Sequence, residues 1–185
     1  MTNCIDIDGT STEDLTKATI TCRHQMDKII AFLREYAPGY ENAFIISSAS
    51  LIGVRETRHF KGEYILTKED ILEAKIFDDY VVKDAYFNFD VHNITGAGLD
   101  ETGVQHHFQQ KKGYTIPYRC LLPEKIDNLL LSGRNISGTH MAHSNFRAML
   151  ICAGSGEAAG AAAALAVRQG KKVRELHAEE IRAIL

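Results

Sequence analysis

Apolar positions recur at helical spacing in two long stretches and alternate, or run together, in several short ones. Between Ser11 and about Tyr36, Met26, Ile29, Ile30 and Leu33 fall on one stripe at i, i+3, i+4 and i+7, which predicts an amphipathic helix. Ser11 with Asp14 resembles a capping box at its start, Thr16 offers a second cap, and Ala37-Pro38-Gly39 stops it. Short strands are predicted at Cys4–Asp8, Phe44–Ser47, Leu51–Val54 and Tyr64–Leu66. Thr67 with Asp70 caps a short helix to about Lys75, and Asp84–His92 alternates as a half-buried strand does. Tyr114–Leu122 reads as a strand that Pro117 places at an edge or bulge.

The last third carries the densest pattern. Leu129, Leu130 and Leu131 form an apolar run suited to a buried parallel strand, stopped by Ser132-Gly133. A polar and basic loop follows. A long helix is then predicted from about Asn145 to Gln169, with Ser144 as its cap and Gly170-Lys171-Lys172 as its stop. Gly154, Gly156 and Gly160 weaken such a helix by about 1 kcal/mol each relative to alanine, so close approach of a backbone or a flat ligand is the expected compensation. The loop and helix start together make a donor-rich mouth suited to an anion.

Composition narrows the classes. The 185 residues suit one domain or slightly more, and 45% hydrophobic with 24% charged residues is ordinary for a globular chain. A formal net charge of −3 argues against nucleic acid as a main partner. No membrane span is expected, because Arg147, Glu157 and Arg168 interrupt the Ala-rich stretch. Met1-Thr2-Asn3-Cys4 leads into acidic residues, so no signal peptide is expected. Cys4, Cys22, Cys120 and Cys152 are scattered without a CxxC, as reduced thiols of a cytoplasmic protein are.

Three groups carry candidate chemistry. Arg55 and Arg58 flank Glu56 beside apolar sequence; they are either solvated charge or a guanidinium pair for a substrate carboxylate. His140 and His143 form an HxxH pair, but no third ligand is positioned and no metal site is expected. His140 is instead a proton donor or substrate contact, or a loop histidine bonded to backbone. The polar loop Asn93–Lys112, with His106-His107 near its end, reads as a lid, a binding segment or a disordered stretch.

Taken in order, IGVRETRHFKGEYILTKEDIL, IPYRCLLPEKIDNLLLSGRNIS and the small-residue helix resemble the C-terminal part of FAD-dependent oxidoreductases. The group is the bacterial FAD_oxidored type, distantly related to fumarate reductase and succinate dehydrogenase flavoproteins. The resemblance implies FAD as cofactor, with Gly133, Arg134 and Ser137 near its ribityl or pyrophosphate portion. It also implies that Asn145, Phe146 and Arg147 open the helix aimed at the flavin ring. Arg55, Arg58 and His140 then become the catalytic and substrate-contact residues for a small-molecule substrate such as a carboxylate.

One departure from the family pattern shapes the expectation. No GxGxxG turn follows a strand anywhere in the chain; Gly154-Ser155-Gly156 with Gly160 has the wrong spacing inside a predicted helix. The expected fold is therefore α/β (α+β), a mixed sheet with flanking helices. Residues 1–122 form a substrate or cap portion, and residues 123–185 supply the last strand and helix of an incomplete Rossmann-like FAD-binding domain. Such a chain either contributes to an oxidoreductase site or is a subunit or remnant that needs an N-terminal FAD-binding partner, or that has lost the cofactor. An exposed edge at Leu129–Leu131 would favour a homo-oligomer.

Overall fold

A long N-terminal helix and a separate mixed helix–sheet body make up the computed structural model, which describes residues 2–91 and 108–185. The chain divides into two compact units, Met1–Arg58 and His59–Leu185, so sequence on both sides of the expected 122/123 boundary lies in the second unit.

In the first unit, α1 spans Thr12–Tyr36. Ser11 Oγ accepts from Asp14 N, while Asp14 Oδ2 accepts from Asp8 N, so the cap is reciprocated one turn upstream rather than at Ser11 itself. The helix ends where expected, at Ala37. The strands expected at Cys4–Asp8, Phe44–Ser47 and Leu51–Val54 are absent from the described residues, which run as irregular chain. Without ladder partners, short alternating runs have no backbone bonds to satisfy as strands. Among the described residues of this unit only Ala18 is a buried apolar residue.

The second unit holds the core. β1 (Tyr80–Ala85) pairs antiparallel with β2 (Tyr114–Pro117), with Val82 opposite Ile116 and Ala85 opposite Tyr114. Three residues on β1 therefore answer two on β2, a bulge that leaves Asp84 at φ 53°. Pro117 ends β2, and a 3-10 turn at Tyr118–Cys120 takes over, as a residue without an N–H requires. The strand expected at Asp84–His92 is displaced, since the ladder lies earlier, at Tyr80–Ala85. Residues 86–91 continue as irregular chain outside it, and His92 lies outside the described residues.

Residues 62–66 thread between two other segments. Glu63 N and Tyr64 N donate to Leu122 O and Arg119 O, and Leu66 bridges in parallel to Gly138. Tyr64–Leu66 is thus strand-like without a ladder. α2 (Lys68–Leu72) starts at the expected capping box of Thr67 and Asp70. Asp70 is buried and accepts from Tyr64 Oη (2.8 Å), Lys75 Nζ (2.8 Å), Thr67 Oγ1 (2.9 Å) and Thr67 N (3.0 Å). Burial alone would raise its pKa, but the hydrogen bonds from Lys75, Thr67 and Tyr64 outweigh it and hold the carboxyl below its ordinary value. A depressed carboxylate stabilises the fold at pH above the unfolded-state pKa, and that stability is lost as pH falls through the lower folded-state value. We expect Asp70→Asn to lower the urea midpoint near pH 7 and to flatten its fall toward about pH 3, a range that brackets the ordinary Asp value of about 3.9. An unchanged acid limb in the variant would exclude Asp70 as its source.

The predicted long helix is two helices. α3 spans His140–Phe146, capped by Thr139, and α4 spans Met149–Gln169, with a break at Arg147-Ala148. Ser144 is therefore not a cap; it is buried inside α3, and its hydroxyl donates to Met141 O. Gly170 closes α4 in the left-handed conformation, as its sequence position suggests. By length and composition α4 meets the requirement for a membrane span, with a mean hydropathy of 1.5 over its most apolar window. In this structure it packs against β1, the turn Gly133–Asn135 and α5 (Ala178–Arg182) through Ile151, Ser155, Ala158, Ala162 and Ala166. Leu129–Leu131 is not a strand. Leu131 N donates to Leu121 O, and among the described residues no parallel ladder forms there, so the expected strand edge is not present among them.

Candidate functional site

The segment 132–152 gathers most of the predicted cofactor residues, and the fold divides them into surface groups and core groups. Gly133 adopts φ 66°, a conformation that favours glycine, and its N–H donates to Ser155 Oγ at 2.8 Å. This bond pins the Gly133–Asn135 turn onto α4. Arg134 stands exposed on that turn. Ser137 is fully buried, and its Oγ accepts from Gly62 N at 3.0 Å.

Asn145 and Phe146 face inward. Asn145 is fully buried; its Oδ1 accepts from Tyr114 Oη at 2.9 Å, and its Nδ2 donates to Phe87 O. Phe146 fills the space over Gly138, where an added Cβ would lie 2.4 Å from the ring. These side chains hold α3 to the strand region, and Ser137 holds its loop to Gly62. Arg147, just past α3, reaches Asp90 with one Nη2 group, at 2.6 Å to Oδ2 and 2.7 Å to the carbonyl oxygen. The ion pair is mostly buried, so it fixes the 86–91 segment more firmly than a solvated pair would.

The start of α4 differs from the rest. Its N-cap is Ala148, whose side chain supplies no capping bond, in contrast to Thr139 on α3. Cys152 lies in the first turns of α4. Burial pushes its thiol pKa up, while Arg134 and Arg147 both pull it down electrostatically. Both guanidiniums thus favour negative charge at Cys152, Arg147 while paired with Asp90, at a helix end whose dipole is itself positive. The arrangement can stabilise an anion. Cys120, by contrast, is a fully buried thiol pushed far up by burial.

The predicted substrate residues are not assembled within one unit. Arg55, half-buried, and Arg58, exposed, belong to the first unit, where Arg58 lies close enough to Asp8 to lower its pKa along with stronger hydrogen bonds from Thr10. His140 is exposed at the first position of α3 in the second unit. His143 is buried edge-on against Phe146, which gives it a packing role. Among the described residues no group of three His, Cys, Asp or Glu side chains is disposed to hold a metal ion. His106 and His107 lie outside the described residues, as does most of the polar loop.

Sequence reasoning missed Gln110 and Asp90. Gln110 is buried and bonds to both neighbouring segments, and Asp90 receives Arg147. The only signal for either was a polar residue beside aromatic positions, which loops show routinely.

Fold and site together define a mixed helix–sheet protein, compatible with the α/β class, that carries a basic helix N-terminus. The whole chain, residues 1–185, matches the model of the FAD dependent oxidoreductase family, and the protein belongs to that family. No curated protein and no solved structure matches it.

Proposed function

We propose that this chain forms the C-terminal part of an FAD-dependent oxidoreductase and offers the start of α4, between Arg134 and Arg147, to the anionic part of the cofactor. The observation that carries this reading is the placement of Arg134 on a turn pinned to α4 by the Gly133–Ser155 bond, and of Arg147 next to the start of α4, a helix with no capping side chain. Family membership supplies FAD as the anion. Bound FAD would bring the hydride chemistry, and the chain would bring orientation and charge. Gly133 fits this role through its turn geometry and Arg134 through its exposure. Ser137, Asn145 and Phe146 contribute by holding the turn and α3 in place, since their side chains are occupied in the core.

Arg55 and Arg58 are the proposed contacts for a carboxylate substrate, with His140 as the proposed proton donor. The second reading is a subunit or remnant that depends on a separate nucleotide-binding chain. It is favoured by the described sheet, which has two antiparallel strands, and by the absence of GxGxxG from the sequence. Titration of FAD into the full chain, followed by flavin fluorescence, tests the first reading. We expect Arg134→Ala to weaken binding about tenfold, the scale of one lost charge-assisted bond. Equal affinity in the variant would remove Arg134 from the site, and binding only after addition of a nucleotide-binding partner would support the second reading.

A further inference from the structure

Beyond the end of β1 the two irregular segments of the second unit separate around a cavity of about 430 Å³. It is lined by Tyr86, Phe87 and Asn88 on one side and by Gln109, Gln110 and Lys111 on the other. Its construction follows from Gln110. The Gln110 carboxamide donates to Ala85 O (2.7 Å) and Lys112 O (3.0 Å) and accepts from Phe87 N (3.0 Å). A side chain thus stands where ladder bonds would otherwise join the two backbones, and it props them apart. Phe87 O is taken by Asn145 Nδ2, so both backbone groups of Phe87 are held by side-chain amides. The wall is fixed before any ligand arrives, which lowers the entropic cost of binding.

The chemistry of the lining is selective. Tyr86 is 59% and Phe87 41% exposed, so large aromatic surfaces remain uncovered beside the cavity. Asn88 and Gln109 bring amides that both donate and accept, and Lys111 brings an ammonium group. The lining contains no carboxylate among the described residues. The volume lies at the lower end of the usual range of about 300–1,000 Å³, which suits a one- or two-ring molecule and not a dinucleotide.

We propose that this cavity binds a small aromatic carboxylate, with its ring against Tyr86 and Phe87 and its carboxylate on Lys111, and that it is a substrate subsite additional to the contacts proposed at Arg55 and Arg58. The word substrate rests on the oxidoreductase reading above; the binding itself does not. The cavity lies in the second unit, whereas Arg55 and Arg58 belong to the first.

The test is calorimetric titration of the full chain, without flavin, using benzoate as the probe and benzamide as its uncharged counterpart. Benzoate should bind saturably, about tenfold tighter than benzamide, and Lys111→Ala should abolish that preference. Tyr86→Ala should weaken both probes several-fold. Lys111 and Tyr86 are exposed, so circular dichroism of both variants should match the parent. Absence of saturable benzoate binding, or an unchanged preference in Lys111→Ala, overturns the proposal. So does displacement of benzoate by lumiflavin with the same dependence on Lys111, which would assign the cavity to the flavin ring. FAD titration of the parent chain, beside its benzoate titration, keeps the two readings apart. Intact FAD affinity alongside failed benzoate binding would sink the cavity alone, and benzoate binding without any FAD binding would sink the oxidoreductase reading alone.

Discussion

Asn145→Leu is expected to destabilise the protein by about 3 kcal/mol or more, even though leucine is close to asparagine in size. The substitution would leave Tyr114 Oη and Phe87 O without their partner, and Tyr114 is fully buried. Each buried group orphaned in this way costs about 1–3 kcal/mol. Against a total stability of about 5–15 kcal/mol for a domain of ordinary size, that is a large fraction. Urea unfolding measures it directly. Tyr114→Phe alone should cost less, because it removes the hydroxyl instead of stranding it. The double variant Asn145→Leu/Tyr114→Phe should then be more stable than the sum of the single effects predicts, since no tyrosine hydroxyl remains to be satisfied. Strict additivity would show that the two side chains do not share a bond. The same variant also separates two roles for Asn145. A residue aimed at flavin would lose cofactor affinity on substitution and leave the unfolding midpoint alone; a residue that ties α3 to the 86–91 and 108–114 segments would do the reverse.

That contrast shows where the sequence was legible. Elements bounded by local chemistry stand close to where the pattern puts them. α1 ends at Ala37-Pro38, α2 begins on the Thr67–Asp70 box, and α4 ends at Gly170, while β2 begins at Tyr114 as expected but stops at Pro117, short of the expected Leu122. In each case the deciding group lies within a few residues of the boundary. The break at Arg147-Ala148 has no such marker, with neither glycine nor proline there and alanine as the cap of the second helix. It is imposed from a distance, by Asp90 holding Arg147 and by Tyr114 and Phe87 holding Asn145. Moving the helix start from Asn145 to Met149 turns two of the expected flavin contacts, Asn145 and Phe146, into core residues. Arg147 stays next to the new start, and Arg134 lies on the turn that Gly133 pins to α4.

Strand reading failed for the same reason in both directions. Leu129–Leu131 has the apolar composition of a core strand but no ladder neighbour among the described residues, whereas Tyr80-Val81-Val82 sits among charged residues and pairs because β2 lies beside it. Gln110 was invisible as a structural residue, since its value depends on two segments 25 and 2 residues away in sequence. Pairing partners, and side chains that replace them, are properties of tertiary structure.

Gly113→Ala should be the second large effect, a loss of about 3 kcal/mol in the same urea assay. A Cβ at Gly113 would lie 2.5 Å from Asp84 Cα and 2.8 Å from Asp84 C, and both are backbone atoms. A flexible side chain could swing aside; the bulge cannot, because the Val82–Ile116 and Ala85–Tyr114 pairs flank it. Overpacking of this kind typically costs about 1–3 kcal/mol and more when the neighbour is rigid. Asp84→Gly should relieve part of the penalty in the double variant, because it removes the side chain strained at φ 53° and loosens the bulge. Gly156→Ala supplies the opposite expectation on α4. Nothing lies within 4 Å of a Cβ built there, so the change should stabilise the helix by up to about 1 kcal/mol. If a flat ligand did lie against that face of α4, the same added methyl would weaken flavin binding while raising the unfolding midpoint. Retained flavin affinity in Gly156→Ala would instead confine the cofactor to the start of the helix, beside Arg134 and Arg147, and leave the glycines of its middle without a part in binding.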